Sequence, residues 1–338
     1  MHRLTLAVPM LLAASLAAPR SPGLPTAAAS ADPADTSAPA ITVTLLGTGR
    51  PIPAMDRFGA GTLVQAGPVT LLFDCGRGIT QRLWQRHIPL SDVSVLFLTH
   101  LHSDHVVGIP DLWLTGWLAG PFGHRTAPFQ VRGPAGTREM MSYLEKAYAA
   151  DLRIRSGDEE LPLAAAAIHA EDISEGVVYR DHGVTVTAFD VDHGRLIKPA
   201  FGYRIDYGGR SVVISGDTRF SENLIRHAQG ADLVVHEVAL ARDDLLARSA
   251  AARRIIAHHT TPDDAGRVFA RVKPKLATYT HIVLLALDSI SPPPTVQDVV
   301  NRTRTTYDGP LVAGEDLMTI EVGDSVTVHR PDPGALRR

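Results

Sequence analysis

The 338-residue chain has a single cysteine, Cys75. An intrachain disulfide is therefore excluded, although many exported proteins of this size manage without one. A basic surplus is also missing: 33 Lys and Arg stand against 36 Asp and Glu, a net charge of -3 at neutral pH. Dedicated nucleic-acid binders usually carry a basic face. The balance argues against that role for the chain as a unit and leaves a local basic groove open. No apolar run is long enough to cross a bilayer comfortably. The candidate, Leu4–Ala18 behind Arg3, is followed by small residues and prolines as far as Ala40. That pattern reads as a cleaved export signal. Cleavage after Ala17 or Ala31 fits a small-x-small rule, and no cysteine lies nearby to take a lipid. Residues 1–31 hold Arg3, Arg20 and no acid, so the remainder has 31 basic and 36 acidic side chains, net -5. A periplasmic or secreted protein is the expectation. No repeat of short period is present.

What is present describes a soluble globular protein, with 45% hydrophobic and 20% charged residues. The divisions read as a signal over 1–31, a linker over 32–40, one domain over 41–331 and a tail over 332–338. The domain opens on the β-branched strand Ile41–Leu46. A hairpin follows, Gly61–Ala66 and Val69–Phe73 about Gly67-Pro68. Gly78–His87 has helical spacing, and Val93–Leu98 is a buried strand. Helices are expected over Arg138–Ala150, Leu240–Ala252 and Asp263–Val272; residues 156–171 read only as strand or loop. Meandering strand pairs followed by strand-then-helix units indicate an α/β sandwich rather than a parallel doubly wound sheet.

Directly behind Val93–Leu98 stands Thr99-His100-Leu101-His102-Ser103-Asp104-His105. Three imidazoles and a carboxylate within six residues suit zinc or a similar first-row metal. His193, Asp217 and His281 each follow a strand-like run, which is where partners to that loop would stand. Seven ligands make two sites: His100, His102 and His193 on one, Asp104, His105 and His281 on the other, with Asp217 able to bridge. Cys75 could be a ligand, but a small buried thiol is the simpler reading. Trp113, Trp117 and Phe122 form either an apolar substrate wall or core packing.

The order H-x-H-x-D-H, D-H-G, S-G-D-T, H-E, H-x-T-x-x-x-A and T-H runs across residues 41–325. It resembles the ribonuclease Z and arylsulfatase-like branch of the metallo-β-lactamase superfamily, as do Leu46-Gly47-Thr48-Gly49 and Phe73-Asp74-Cys75-Gly76. The resemblance implies an αββα sandwich and a dinuclear site, two zinc ions with manganese or iron as alternatives. It also implies a shared hydroxide that attacks phosphorus, or another electrophile, in line with a departing alkoxide. By register His259 serves the leaving group, with His258 adjacent as the alternative, and Glu237 orients it. Asp104 counts as both ligand and catalytic residue, and Asp74 as partner of a ligating imidazole. A homodimer follows by family analogy alone.

Transfer-RNA-processing members that carry their arm within the metal domain insert a long basic, Gly/Pro-rich segment between the D-H and G-D-T strands. Here that interval holds only a hairpin around Gly208-Gly209. With the export signal and acidic balance, this favours a small sulfate or phosphate ester over nucleic acid as substrate, in an arylsulfatase-like or phosphodiesterase enzyme. Ribonuclease Z-type tRNA 3′ processing and a non-enzymatic metal-binding scaffold are the alternatives.

Overall fold

The structure, a computed structural model, describes residues 40–287, 290, 292–332 and 334. The expected signal, most of the linker and most of the tail lie outside the described residues. No helix among the described residues is long and apolar enough to cross a membrane.

Two sheets face each other. The first is built from β1 (Ile41–Gly47), β2 (Gly61–Ala66), β3 (Val69–Phe73), β4 (Val95–Phe97), β5 (Phe129–Gly133) and β6 (Ile168–Asp172). The second takes β7 (Gly176–Asp181), β8 (Val184–Asp190), β9 (Phe201–Tyr207), β10 (Arg210–Ile214), β11 (Leu233–Ala241), β12 (Leu276–Leu285) and β13 (Leu311–Ala313). The chain then returns to the first sheet with β14 (Met318–Val322) and β15 (Val326–His329), giving the orders 15-14-1-2-3-4-5-6 and 13-12-11-10-9-8-7. Val43, Leu45, Val64, Phe73 and Phe97 of one sheet meet Val186, Tyr203, Ile205, Val212 and Val235 of the other in a buried core. Helices cover the outer faces: Ile79, Leu83, Leu112 and Trp113 pack on Leu63 and Leu72. Val268 and Phe269 pack on Val213 and Val234. The result is the expected αββα sandwich. β11 is buried at all nine positions, because it pairs parallel with β10 and β12 and is covered on both sides.

Several local expectations are corrected. Pro110 lies in the first turn of the helix Ile109–Trp117, where its missing N–H costs nothing. Residues 156–171 hold the end of the helix Ala149–Asp158, the short helix Leu163–Ala166 and β6. β7 carried no readable signal. Of the two readings of Trp113 and Trp117, core packing holds: both are buried, and their indole N–H groups donate to Ala166 O and Pro162 O. Phe122 instead packs on Trp84, with ring centroids 3.7 Å apart.

Candidate metal centre

The loop after β4 holds His100, His102, Asp104 and His105 at one edge of the sandwich, with the last two in the helical turn Ser103–Val106. His193 follows β8 and Asp217 follows β10. His281 is placed differently from the expectation, since β12 does not end before it. The register passes from Glu237 opposite Thr280 to Val238 opposite Ile282, so His281 is the extra residue of a β-bulge, with φ +42°. Bulges re-aim side chains, and this one turns His281 toward the histidine loop. A left-handed φ is uncommon for a non-glycine residue and clusters at functional sites. Glu237 likewise lies inside β11 rather than at its end.

The ligand-type atoms converge. His100 Nε2 is 2.9 Å and His193 Nε2 3.3 Å from His102 Nδ1. Asp104 Oδ2 is 3.1 Å from His281 Nε2 and 3.6 Å from His105 Nε2. Between the two groups sits Asp217 Oδ2, 3.5 Å from the Nε2 atoms of His105 and His281, 3.7 Å from His193 and 4.0 Å from His100. The triads His100–His102–His193 and Asp104–His105–His281 each keep their ligand atoms within 4.8 Å of one another. Ligands about 2.0–2.1 Å from a tetrahedral zinc stand about 3.3 Å apart, which is the spacing found here. His105 Nε2 is buried and has no hydrogen-bond partner among the described residues. A cation would satisfy that lone pair. The donor set fits a divalent metal.

The surroundings fix each ring. Asp74, itself at φ +61°, accepts from Thr99 N–H (2.8 Å), Thr99 Oγ (2.8 Å) and His105 Nδ1 (2.7 Å). That bond turns His105 Nε2 toward Asp217. His193 Nδ1 donates to the His258 carbonyl at 2.9 Å. Burial and neighbouring imidazoles hold His100 well below the usual histidine range, leaving it neutral with a lone pair to offer. Burial opposes charge on Asp217, yet His281 and His105 keep it well below the carboxylate range.

Of the adjacent pair, His259 is the residue whose ring meets the centre. Its Nδ1 lies 3.2 Å from Glu237 Oε2 and 3.9 Å from Asp217 Oδ2. Burial lowers its pKa, but Glu237 and Asp217 outweigh that and raise it to about 9. Glu237 is 1% exposed and also accepts from Thr260 N–H at 2.8 Å. Cys75 is buried and its thiol is pushed far up by burial, so it offers no thiolate. The sequence reading passed over Thr99, Thr218, Thr260 and the Arg82–Asp316 pair. Thr99, Thr218 and Thr260 stand inside quoted motifs, which is the one signal that marked them; nothing marked Arg82 or Asp316.

A model of the β-lactamase superfamily domain matches residues 70–282. The ribonuclease Z of Mycolicibacterium gilvum is 34% identical over 293 residues, covering 85% of this chain and 98% of that protein. The ribonuclease Z of Mycobacterium avium is 37% identical over 245 residues, covering 72% of this chain and 86% of its own. Among solved structures, the metallo-β-lactamase fold protein YhfI from Bacillus subtilis aligns with TM-score 0.63 at 18% identity, over 82% of this chain and 98% of its own. The short form of human tRNase Z aligns with TM-score 0.59 at 22% identity, over 83% and 99%. These relatives overturn two expectations, a small sulfate or phosphate ester as substrate and nucleic acid as an improbable one. The missing arm does not separate the chain from the Mycolicibacterium gilvum relative. A relative covered over 98% of its length by a 293-residue alignment has no long segment without a counterpart here.

Proposed function

Because the chain belongs to the metallo-β-lactamase superfamily of hydrolases, in its ribonuclease Z branch, we propose that it is a metal-dependent RNA endonuclease of the ribonuclease Z type. Its substrate on this reading is the 3′ extension of a transfer-RNA precursor. The observation that carries it is Asp217 Oδ2, lying 3.5–4.0 Å from imidazoles of both triads with His259 beside it.

On this reading His100, His102 and His193 would hold one zinc ion and Asp104, His105 and His281 the second, with the Asp217 carboxylate placed between the two groups to serve either. Manganese and iron are the other metals such an imidazole and carboxylate set accepts. Bound there, the metals supply a lowered pKa for water and positive charge against the phosphoryl oxygens. The chain does the rest. Asp74 and the His258 carbonyl keep the His105 and His193 rings turned with Nε2 inward. His259 Nδ1–H donates a charge-assisted hydrogen bond to the Glu237 carboxylate and keeps its proton. His259 Nε2–H is then free to protonate the departing alkoxide, a general-acid role.

The N-terminal pattern supports export of this enzyme, and N-terminal sequencing of the mature chain from cell fractions tests that. For the reaction, a zinc-loaded preparation is incubated with an end-labelled transfer-RNA precursor, with and without a chelator. Metal-dependent endonucleolytic cleavage is expected. An intact precursor beside fully zinc-loaded protein contradicts the proposal.

A further inference from the structure

Behind the centre, one residue joins the segments that carry its parts. Thr218 is fully buried and spends every polar atom on a different piece of chain. Its N–H donates to Glu237 Oε1 at 3.3 Å. Its carbonyl accepts the Thr260 hydroxyl at 2.6 Å. Its own hydroxyl donates to Arg219 O at 2.7 Å and accepts the Asp192 N–H at 3.2 Å. Thr218 is thereby bonded to the residue before His193, to the residue after His259 and to the carboxylate that holds His259. It directly follows Asp217.

We infer that Thr218 is a positioning residue of the hydrolytic centre, its hydroxyl holding the His193 turn in register with Asp217 and the His259 segment. The inference rests on the metal-dependent hydrolase reading above. The His193 turn has other ties as well: the Arg219 guanidinium meets the Asp192 carboxylate at 2.5 Å, and His193 Nδ1 donates to the His258 carbonyl at 2.9 Å. Arg219 N–H reaches Asp192 O at 2.8 Å, and the Asp192 carboxylate caps Gly194 N–H at 3.0 Å. Gly194, at φ +106°, lies so near His258 that a Cβ there would come within 2.9 Å of that ring. The turn therefore has little slack on its His258 side, and its spacing from Asp217 is set by the bonds that Thr218 and Arg219 make to Asp192. Loss of the hydroxyl leaves the Asp192 N–H unpaired and frees the turn to shift. His193 belongs to the first triad and Asp217 lies between the two, so such a shift disturbs the first triad and its spacing from Asp217. Displacements of about 1 Å cost on the order of 100-fold in rate, and loss of an outer partner costs roughly 10–100-fold in metal affinity.

The test compares Thr218→Val, which keeps the shape and removes the hydroxyl, with Thr218→Ser, which keeps the hydroxyl. Zinc affinity is measured by chelator competition, and kcat and KM on an RNA substrate and on bis(p-nitrophenyl) phosphate. The expected result for Thr218→Val is a fall in kcat and in zinc affinity of roughly 10–100-fold each, with little change in KM. Thr218→Ser stays close to wild type. Wild-type affinity and kcat in Thr218→Val overturn the inference, as does a Thr218→Ser loss equal to that of Thr218→Val, which assigns the effect to the methyl group. If Thr218→Val does not fold, Thr260→Val removes the hydroxyl bound to the Thr218 carbonyl, and a smaller fall in the same two quantities is expected; no fall in either overturns the inference. Wild-type protein that binds zinc and cleaves neither substrate defeats the functional reading, and the zinc-affinity comparison still decides the role of Thr218.

Discussion

Glu237 Oε2 and His259 Nδ1 lie 3.2 Å apart, 22 residues separated in sequence, in a site where the carboxylate is 1% exposed. The buried carboxylate raises the imidazole to about 9 against the opposing effect of burial. An imidazole with a raised pKa is charged below that value and loses its proton above it. The rate on an RNA substrate is expected to hold through neutral pH and decline on an alkaline limb near 9. Glu237→Gln removes the charge that sustains the imidazolium, so the limb moves down toward the ordinary histidine value of about 6.5. A limb that does not move in this variant contradicts the assignment.

His259→Ala separates proton donation from metal binding. Its ring belongs to neither the His100–His102–His193 nor the Asp104–His105–His281 triad and its Nδ1 is taken up by Glu237, so zinc content is expected to stay near the wild-type value. The rate should fall by roughly 10²–10⁴-fold, the usual contribution of a general acid. Metal analysis beside kcat checks both halves.

Asp217→Ala has the opposite signature. Asp217 Oδ2 lies 3.5–4.0 Å from four imidazoles, so its removal is expected to lower zinc content and activity together. Chelation of the wild type should likewise lower the melting temperature, since an ion that binds only the folded state stabilises it by mass action. Zinc added back should restore both. Full zinc retention in Asp217→Ala is the result that would contradict a metal-holding role for Asp217.

A second buried charge pair secures the loop beside the site. Asp316, fully buried, accepts from Arg82 Nη2 (2.9 Å) and Nε (3.2 Å), Thr48 N–H and Oγ (both 2.8 Å) and Phe58 N–H (2.7 Å). The Arg82 guanidinium also stacks on the Phe58 ring at 3.9 Å. Both ends of the segment from Thr48 to Phe58 are thus tied to one carboxylate. Arg82→Met leaves that carboxylate buried without its counter-charge, a loss of about 3–5 kcal/mol, read by urea unfolding. Combining it with Asp316→Asn should recover part of the loss.

Much of the centre was legible because its chemistry is local. His100, His102, Asp104 and His105 lie within six residues, and the strand before them reads from its apolar run alone. His193 and Asp217 were legible as strand-end residues because β8 and β10 do end there. His281 was found by the same rule for the wrong reason. β12 continues through it to Leu285, and a bulge in register with β11 leaves no mark in a single sequence. Trp113 and Trp117 were left open between a substrate wall and core packing, and their burial decides for packing. Two indoles near a metal loop suggest a substrate wall, but their burial depends on contacts with Ala166 and Pro162, about 50 residues away. Arg82–Asp316 was invisible for a similar reason, since nothing local distinguishes a charge that becomes buried from one that stays in water. The substrate was misjudged on an absent arm, which weighs less than 34–37% identity to ribonucleases Z over most of the chain.

Cys75 offers a simple check on packing. Its buried thiol is held far above the usual range, so it is expected to resist alkylation in the native protein and react at once in denaturant. Rapid native-state labelling contradicts its placement beneath the metal loop.

The most direct test is end-mapping of the products formed from a transfer-RNA precursor by the zinc-loaded protein. The account predicts one cut at the base of the 3′ extension, lost in Asp217→Ala and slowed in His259→Ala. A precursor left whole by protein carrying its full complement of zinc would contradict it.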